Sequence, residues 1–237
     1  MRRALCVLAA LLVATELAAI DTSGMAVVGR SVHLTIWARD DRDYAGLLRT
    51  LEDAYARITA ELNPGFRNNV SVYVYPDQMA FVKAVFGWNE IQMNVCGLAD
   101  HVRSILYLTS TYDSCRPSDY MARMPVHELT HVIFPSQATW IREGVADYQA
   151  GILRDTGGGA LPSALSDLRF SGSDEQRESA YGQAAGIVRY IVERLLHGER
   201  KGLVKYLGQH VTSDGRIVPD EAGFMAGWRQ YMREVKS

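Results

Sequence analysis

The chain has 237 residues, with 25 Lys and Arg against 27 Asp and Glu, giving a net charge of −2. That near-neutral balance, with no basic cluster anywhere, argues against nucleic acid as a partner. The length suits one compact domain with a sizeable core.

Met1-Arg2-Arg3 precede a nearly unbroken apolar run from Ala4 to Ala14, and Leu17-Ala18-Ala19 close it. A basic start, a short apolar run and small residues at its end describe a secretory signal peptide cleaved after Ala19. The run is too short to span a bilayer comfortably, although an uncleaved leader would leave the chain membrane-anchored. Cys6 lies inside the run with no lipobox before it, which speaks against a lipoprotein. The expected protein is therefore secreted or periplasmic, with no stable membrane insertion after cleavage. It forms one domain over residues 20–237, with an α/β sheet part over 20–118 and mostly helices over 119–237. Export places Cys96 and Cys115 in an oxidising compartment. Their spacing leaves a disulfide and two free buried thiols equally open.

Residues 31–38 alternate apolar and polar, as a strand with one buried face does. Asp40, Asp41 and Asp43 are expected to open a helix running to about Leu62, with Leu47, Leu48, Leu51, Tyr55, Ile58 and Leu62 as its buried stripe. Asn63-Pro64-Gly65 stops it. Val70–Tyr75 reads as a second strand, and Pro76-Asp77 starts a short helix carrying Met79, Phe81, Val82 and Phe86. Residues 91–98 and 103–109 follow as extended segments, the second being the better strand.

The densest chemistry lies at His127-Glu128-Leu129-Thr130-His131. On a helix the two histidines stand four residues apart and share a face, where both imidazoles reach one metal ion. Glu128 can then address a water held there. Three fixed residues arise by accident in roughly one such chain in a hundred, so context must carry the reading. The context is helical and apolar: Met121, Met124, Val126, Leu129, Val132, Ile133 and Phe134 surround the motif. Buried histidines and a buried glutamate need partners, and a metal ion is one. The motif thus points to a zinc hydrolase. Pro125 fits either the first turn of this helix or a kink within a longer one.

A catalytic zinc takes three protein ligands and leaves one position open. Pro135 ends the first helix and a second begins near Trp140. It carries Trp140-Ile141-Arg142-Glu143-Gly144-Val145-Ala146-Asp147-Tyr148. Glu143 is the natural third ligand. Asp147, one turn later on the same face, suits an acceptor for the free ring N–H of a zinc-bound histidine. It also stands as the alternative third ligand. Beyond this helix, Gly157-Gly158-Gly159 is a flexible connection that matches neither phosphate-binding fingerprint. Residues 174–197 read as one long helix. A shorter one follows around Leu203 to Leu207, and a last one carries Phe224, Met225, Trp228 and Tyr231.

The two motifs, His127-Glu128-x-x-His131 and Trp140-x-x-Glu143-Gly144-x-Ala146-x-Tyr148, together resemble the gluzincin metallopeptidases, and among them the peptidase MA-like domains. Phe134 and Gln137 stand where metzincins carry glycine and histidine, so that class is excluded. The stretches Leu161–Leu165, Ala180–Ala185 and Val188–Ile191 are similar to the helical tail of the same domains, and the resemblance covers about residues 70–235. It implies a zincin-like α+β fold with a small mixed or antiparallel sheet, an active-site helix and a mostly helical C-terminal half. It also implies one Zn2+ per chain held by His127, His131 and Glu143, with Asp147 orienting a zinc histidine. An edge strand of the sheet that accepts an extended peptide is implied as well.

The expected activity is hydrolysis of peptide bonds by a zinc-activated water, with Glu128 as general base and a peptide or protein as substrate. Tyr181 is the candidate donor to the tetrahedral oxyanion, and His210 a weaker one. His33, His101 and His197 read as core, loop and helix-end residues. A non-catalytic module of the same fold, serving binding or assembly in the cell envelope, is the alternative; oligomeric state is not legible.

Overall fold

The computed structural model describes residues 20–91, 95–110, 118–136, 138–152, 154 and 161–236. The leader read at 1–19, Cys115, Gln137 and the Gly157-Gly158-Gly159 connection lie outside the described residues. Five strands form one mixed sheet: β1 (Ala26–Arg30), β2 (Leu34–Ala38), β3 (Val70–Tyr75), β4 (Gly97–Asp100) and β5 (Ile105–Thr109), in the order β1-β2-β3-β5-β4. The three inner strands are parallel and the two outer ones antiparallel to their neighbours. The chain adopts the α+β class read from its sequence.

Period-two alternation gives the sheet two unlike faces. Leu34, Ile36, Val70, Val72, Val74, Leu106 and Leu108 point into the main core. On the other face Trp37, Tyr73 and Tyr107 lie in register and stack at 5.9 and 5.6 Å. The main face is covered by helix α1 (Ala45–Leu62) and by α3 (Ser118–Ile133). The aromatic face is covered by α2 (Gln78–Phe86), whose start is capped by the Asp77 carboxylate accepting from Ala80 N–H at 2.7 Å. The remaining helices are α4 (Thr139–Ala150), α5 (Asp174–Tyr190), α6 (Leu203–His210) and α7 (Glu221–Lys236). One hydrophobic core runs through both halves of the chain, from Leu34 to Met232.

Several boundaries differ from the expectation. β1 carries no alternation, its residues being exposed or half-buried, and it pairs with β2 through an irregular register between Val27 and Gly29. α1 begins at Ala45 and not at Asp40. The Asp40 and Asp43 carboxylates accept from the N–H groups of Arg42 and Ala45 two residues on, at 3.3 and 2.8 Å, which holds a turn instead of a first helical turn. The strand expected over 91–98 is β4, at 97–100. The long helix expected over 174–197 stops as an α-helix at Tyr190 and continues as a π-turn over Ile191–Leu195. Pro125 is interior to α3.

Side-chain ties hold the helices that carry the candidate site. Asn63, just past α1, donates to the Ile133 carbonyl at the end of α3 at 3.0 Å. Arg57 of α1 donates to the Gln149 carbonyl of α4 at 3.0 Å, and Gln149 donates to Glu61 at 2.8 Å. α4 lies against α5 more closely than ordinary side chains permit. A Cβ on Gly144 would stand 2.5 Å from the Ala184 carbonyl oxygen. Gly144 on one helix and the buried Ala180 and Ala184 on the other make that approach possible. No helix among the described residues is long and apolar enough to cross a membrane.

Candidate metal centre

The helical spacing of His127 and His131 brings their rings together at the C-terminal half of α3, centroids 4.6 Å apart and nearly perpendicular. Their Nε2 atoms face each other at 3.0 Å. Glu143, one turn into α4, brings its Oε2 to 3.5 Å from His127 Nε2 and 3.4 Å from His131 Nε2. These three residues are the only group of metal-ligating side chains found among the described residues. A tetrahedral ion with bonds of about 2.0–2.1 Å separates its ligand atoms by roughly 3.3 Å, so the triangle has the edge lengths that such an ion requires. At 3.0 Å the two Nε2 atoms either share a proton in an N–H···N hydrogen bond or both face a bound cation. The donor set of two nitrogens and one carboxylate oxygen suits a divalent transition ion.

Asp147 does not join the triangle. Its Oδ1 accepts from His127 Nδ1 at 2.8 Å, which fixes that ring's proton on Nδ1 and leaves Nε2 free for an ion. The alternative of Asp147 as third ligand is therefore not the arrangement observed. His131 Nδ1 is buried without a hydrogen-bond partner among the described residues.

The electrostatics follow from ionisable groups packed together out of water. Burial works against a charged His127, but the Asp147 and Glu143 carboxylates outweigh it and raise the ring to about 10. A proton and a metal ion compete for that nitrogen. Burial alone would raise Glu143 and Asp147 too. His131 and His127 hold Glu143 well below the carboxylate range, and His127 and Arg154 hold Asp147 below it. Each acid also has an arginine: Arg142 Nε donates to Glu143 Oε1 at 2.9 Å, and Arg154 donates to Asp147. Glu128 has no arginine in contact among the described residues. Burial raises its pKa, against the pull of His127 and His131.

Glu128 points to the sheet edge. A Cβ on Gly97, the first residue of β4, would lie 2.8 Å from Glu128 Cγ and 3.0 Å from its Oε1. The glycine therefore leaves room for the carboxylate against the strand. A cavity of about 250 Å3 opens one turn earlier along α3, between Tyr44, Leu47, Val74, Leu108, Met124 and Pro125.

Tyr181 sits in the middle of α5. Its ring meets Phe170 edge-on at 5.6 Å and lies under the Arg154 guanidinium at 4.7 Å. Its pKa is raised first by the charge of Glu143 and then by burial, which keeps the phenol protonated. His210 is not brought to the centre; it packs on Tyr206 at 4.6 Å. His33 stacks on Tyr55 and pairs with Glu52. Cys96 is disulfide-bonded, and neither Cys6 nor Cys115 is among the described residues.

No family model matches the chain, and no curated protein matches it. Function is therefore read from the side chains alone. Those the sequence did not single out are Gly97, Arg154 and the ring nitrogen of Trp140. Trp140 donates to the Gly215 carbonyl at 2.7 Å and so anchors the start of α4 to the turn before α7. Gly97 and Arg154 had no motif to mark them, and Trp140, although it heads the second motif, bonds a partner distant in sequence.

Proposed function

We propose that the chain is an exported zinc-dependent peptidase of the gluzincin type, with His127, His131 and Glu143 as the metal ligands. The observation that carries the reading is the triangle of two Nε2 atoms and one Oε2 at 3.0–3.5 Å, with Glu128 on the same helix. A zinc ion held there supplies Lewis acidity to oxygen atoms in the cleft. Glu128 takes the proton of the attacking water and returns it to the leaving amine. Its place against Gly97 directs it toward the edge of the sheet. β4 is the last strand of that sheet, so an extended peptide added alongside it by backbone pairing runs past Glu128. The neighbouring cavity, walled largely by apolar side chains, accepts one substrate side chain. Tyr181, kept protonated, donates to the oxyanion that develops at the scissile carbonyl. The disulfide at Cys96 supports delivery to an oxidising compartment, in keeping with the leader read at 1–19.

The test is zinc per chain in the purified protein, wild type beside Glu128→Gln, each assayed on a denatured protein substrate. One zinc in both with cleavage only by wild type supports the peptidase. Zinc in both with cleavage by neither turns the reading to the non-catalytic module, and absence of zinc from both overturns it.

A further inference from the structure

Arg154 lies beyond the end of α4, yet its side chain is only 6% exposed. Arginine is almost never buried so deeply unless it is paired. Among the described residues it is paired with Asp147, Glu178 and Tyr181. Nε and Nη2 form a fork on the two oxygens of Asp147, at 2.5 and 3.0 Å. Nη1 reaches Glu178 Oε1 on α5 at 3.0 Å. The face of the guanidinium covers the Tyr181 ring.

The fork matters because of what Asp147 does with the same atoms. Its Oδ1 receives both Arg154 Nη2 and His127 Nδ1, the latter at 2.8 Å, and the carboxylate is fully buried. A carboxylate held by one hydrogen bond can turn about its Cβ–Cγ bond. One gripped through both oxygens by a planar guanidinium cannot, and its remaining lone pair is aimed in a fixed direction. We propose that Arg154 is a positioning residue for the metal centre: it fixes the plane of the Asp147 carboxylate, which fixes the His127 ring and so the direction of Nε2. This rests on the metal-site reading above and adds a third link, His127 to Asp147 to Arg154, tied to α5 through Glu178. A lysine in its place would keep the charge and lose the fork.

The experiment measures Zn2+ dissociation constants by competition with a chromophoric chelator at fixed pH, in wild type, Arg154→Gln and Arg154→Lys. The melting of each metal-free protein is followed by circular dichroism. Removing a group that orients a metal-bound histidine costs about 10–100-fold in affinity, and that loss is expected for Arg154→Gln. Arg154→Lys is expected to remain several-fold weaker than wild type although its charge is kept. In the zinc form of Arg154→Lys, the downfield Nδ1–H resonance of His127 should exchange with water faster than in wild type. Should Arg154→Gln fail to fold, the lysine variant carries the test. Zinc affinity within threefold of wild type in a folded variant, with an unchanged His127 resonance, overturns the proposal and leaves the metal site standing. A wild-type chain that binds no zinc overturns both.

Discussion

Gly144→Ala is the sharpest probe of how Glu143 is held. An added Cβ would lie 2.5 Å from the Ala184 carbonyl oxygen, 2.8 Å from its carbon and 3.0 Å from Val188 Cγ2. The first two are backbone atoms of α5, which no rotamer change can clear. Ordinary contact then requires α4 and α5 to part by roughly 1 Å. Overpacking of this kind costs about 1–3 kcal/mol, and alanine's better helix propensity returns at most about 1 kcal/mol. At about 2–4 °C per kcal/mol for a domain of this size, the variant should melt a few degrees below wild type. Gly208→Ala is the matched control. It is also helical, a Cβ there meets nothing within 4 Å, and it should melt slightly above wild type. The assay is thermal unfolding by circular dichroism in the presence of a chelator, followed by a zinc-competition titration. Glu143 adjoins the displaced residue, so zinc affinity should fall in Gly144→Ala and not in Gly208→Ala. A Gly144→Ala protein that melts at or above wild type, with unchanged zinc affinity, would refute the close-packing account.

Four further outcomes are expected. Glu143→Ala should lose zinc while Asp147→Ala keeps it with weakened affinity; equal zinc content in wild type and Glu143→Ala, measured by atomic absorption, overturns the ligand assignment. Gly97→Ala should retain zinc and fold but lose most turnover, because its methyl occupies the place of the Glu128 carboxylate; unimpaired kcat argues that Glu128 does not work from that position. Tyr181→Phe should lower kcat by about 100-fold or more with zinc affinity and KM near wild type if its hydroxyl serves the oxyanion, and an unchanged kcat assigns it to packing alone. Glu52 gives a pH signature. Burial raises its pKa, but Ser31, donating at 2.6 Å, and His33 outweigh that and lower it below 4.5. Its contribution to stability is present above the ordinary value and is lost as pH falls through the lowered one. Wild type should therefore exceed Glu52→Gln in stability near neutrality, with the gap closing below about pH 4.5. Parallel melting curves from pH 7 to 3 would exclude this linkage.

The sequence was most legible where one periodic pattern and one contact governed a residue. The i, i+4 spacing of His127 and His131 is a property of any helix, and the connection between α3 and α4 is short enough that Glu143 returns to the same place. Asp147 stayed an alternative to Glu143 in the sequence, since both lie on one face of α4. β2 announced itself by alternation, whereas β5 is an almost wholly buried apolar run. β1 did not alternate, having no buried side to alternate with. The acidic run before α1 misled because the Asp40 and Asp43 side chains bind backbone N–H groups outside a helix as readily as within its first turn. Arg154, Gly97 and Gly144 take their meaning from Asp147, Glu128 and Ala184, and nothing in a single sequence records such pairings.

The ring nitrogens and carboxylate that face one another all come from a stretch beginning at His127 and ending at Glu143, on two consecutive helices. Bringing them together closes only a short loop, at small entropic cost. Glu128 depends on something else: its wall at Gly97 exists only once β4 has paired with β5 and the sheet has met α3. The residues that could hold an ion and the glutamate beside them thus depend on different parts of the fold. On the peptidase reading, damage to the β4–β5 pairing would cost turnover while leaving the metal-ligating side chains together.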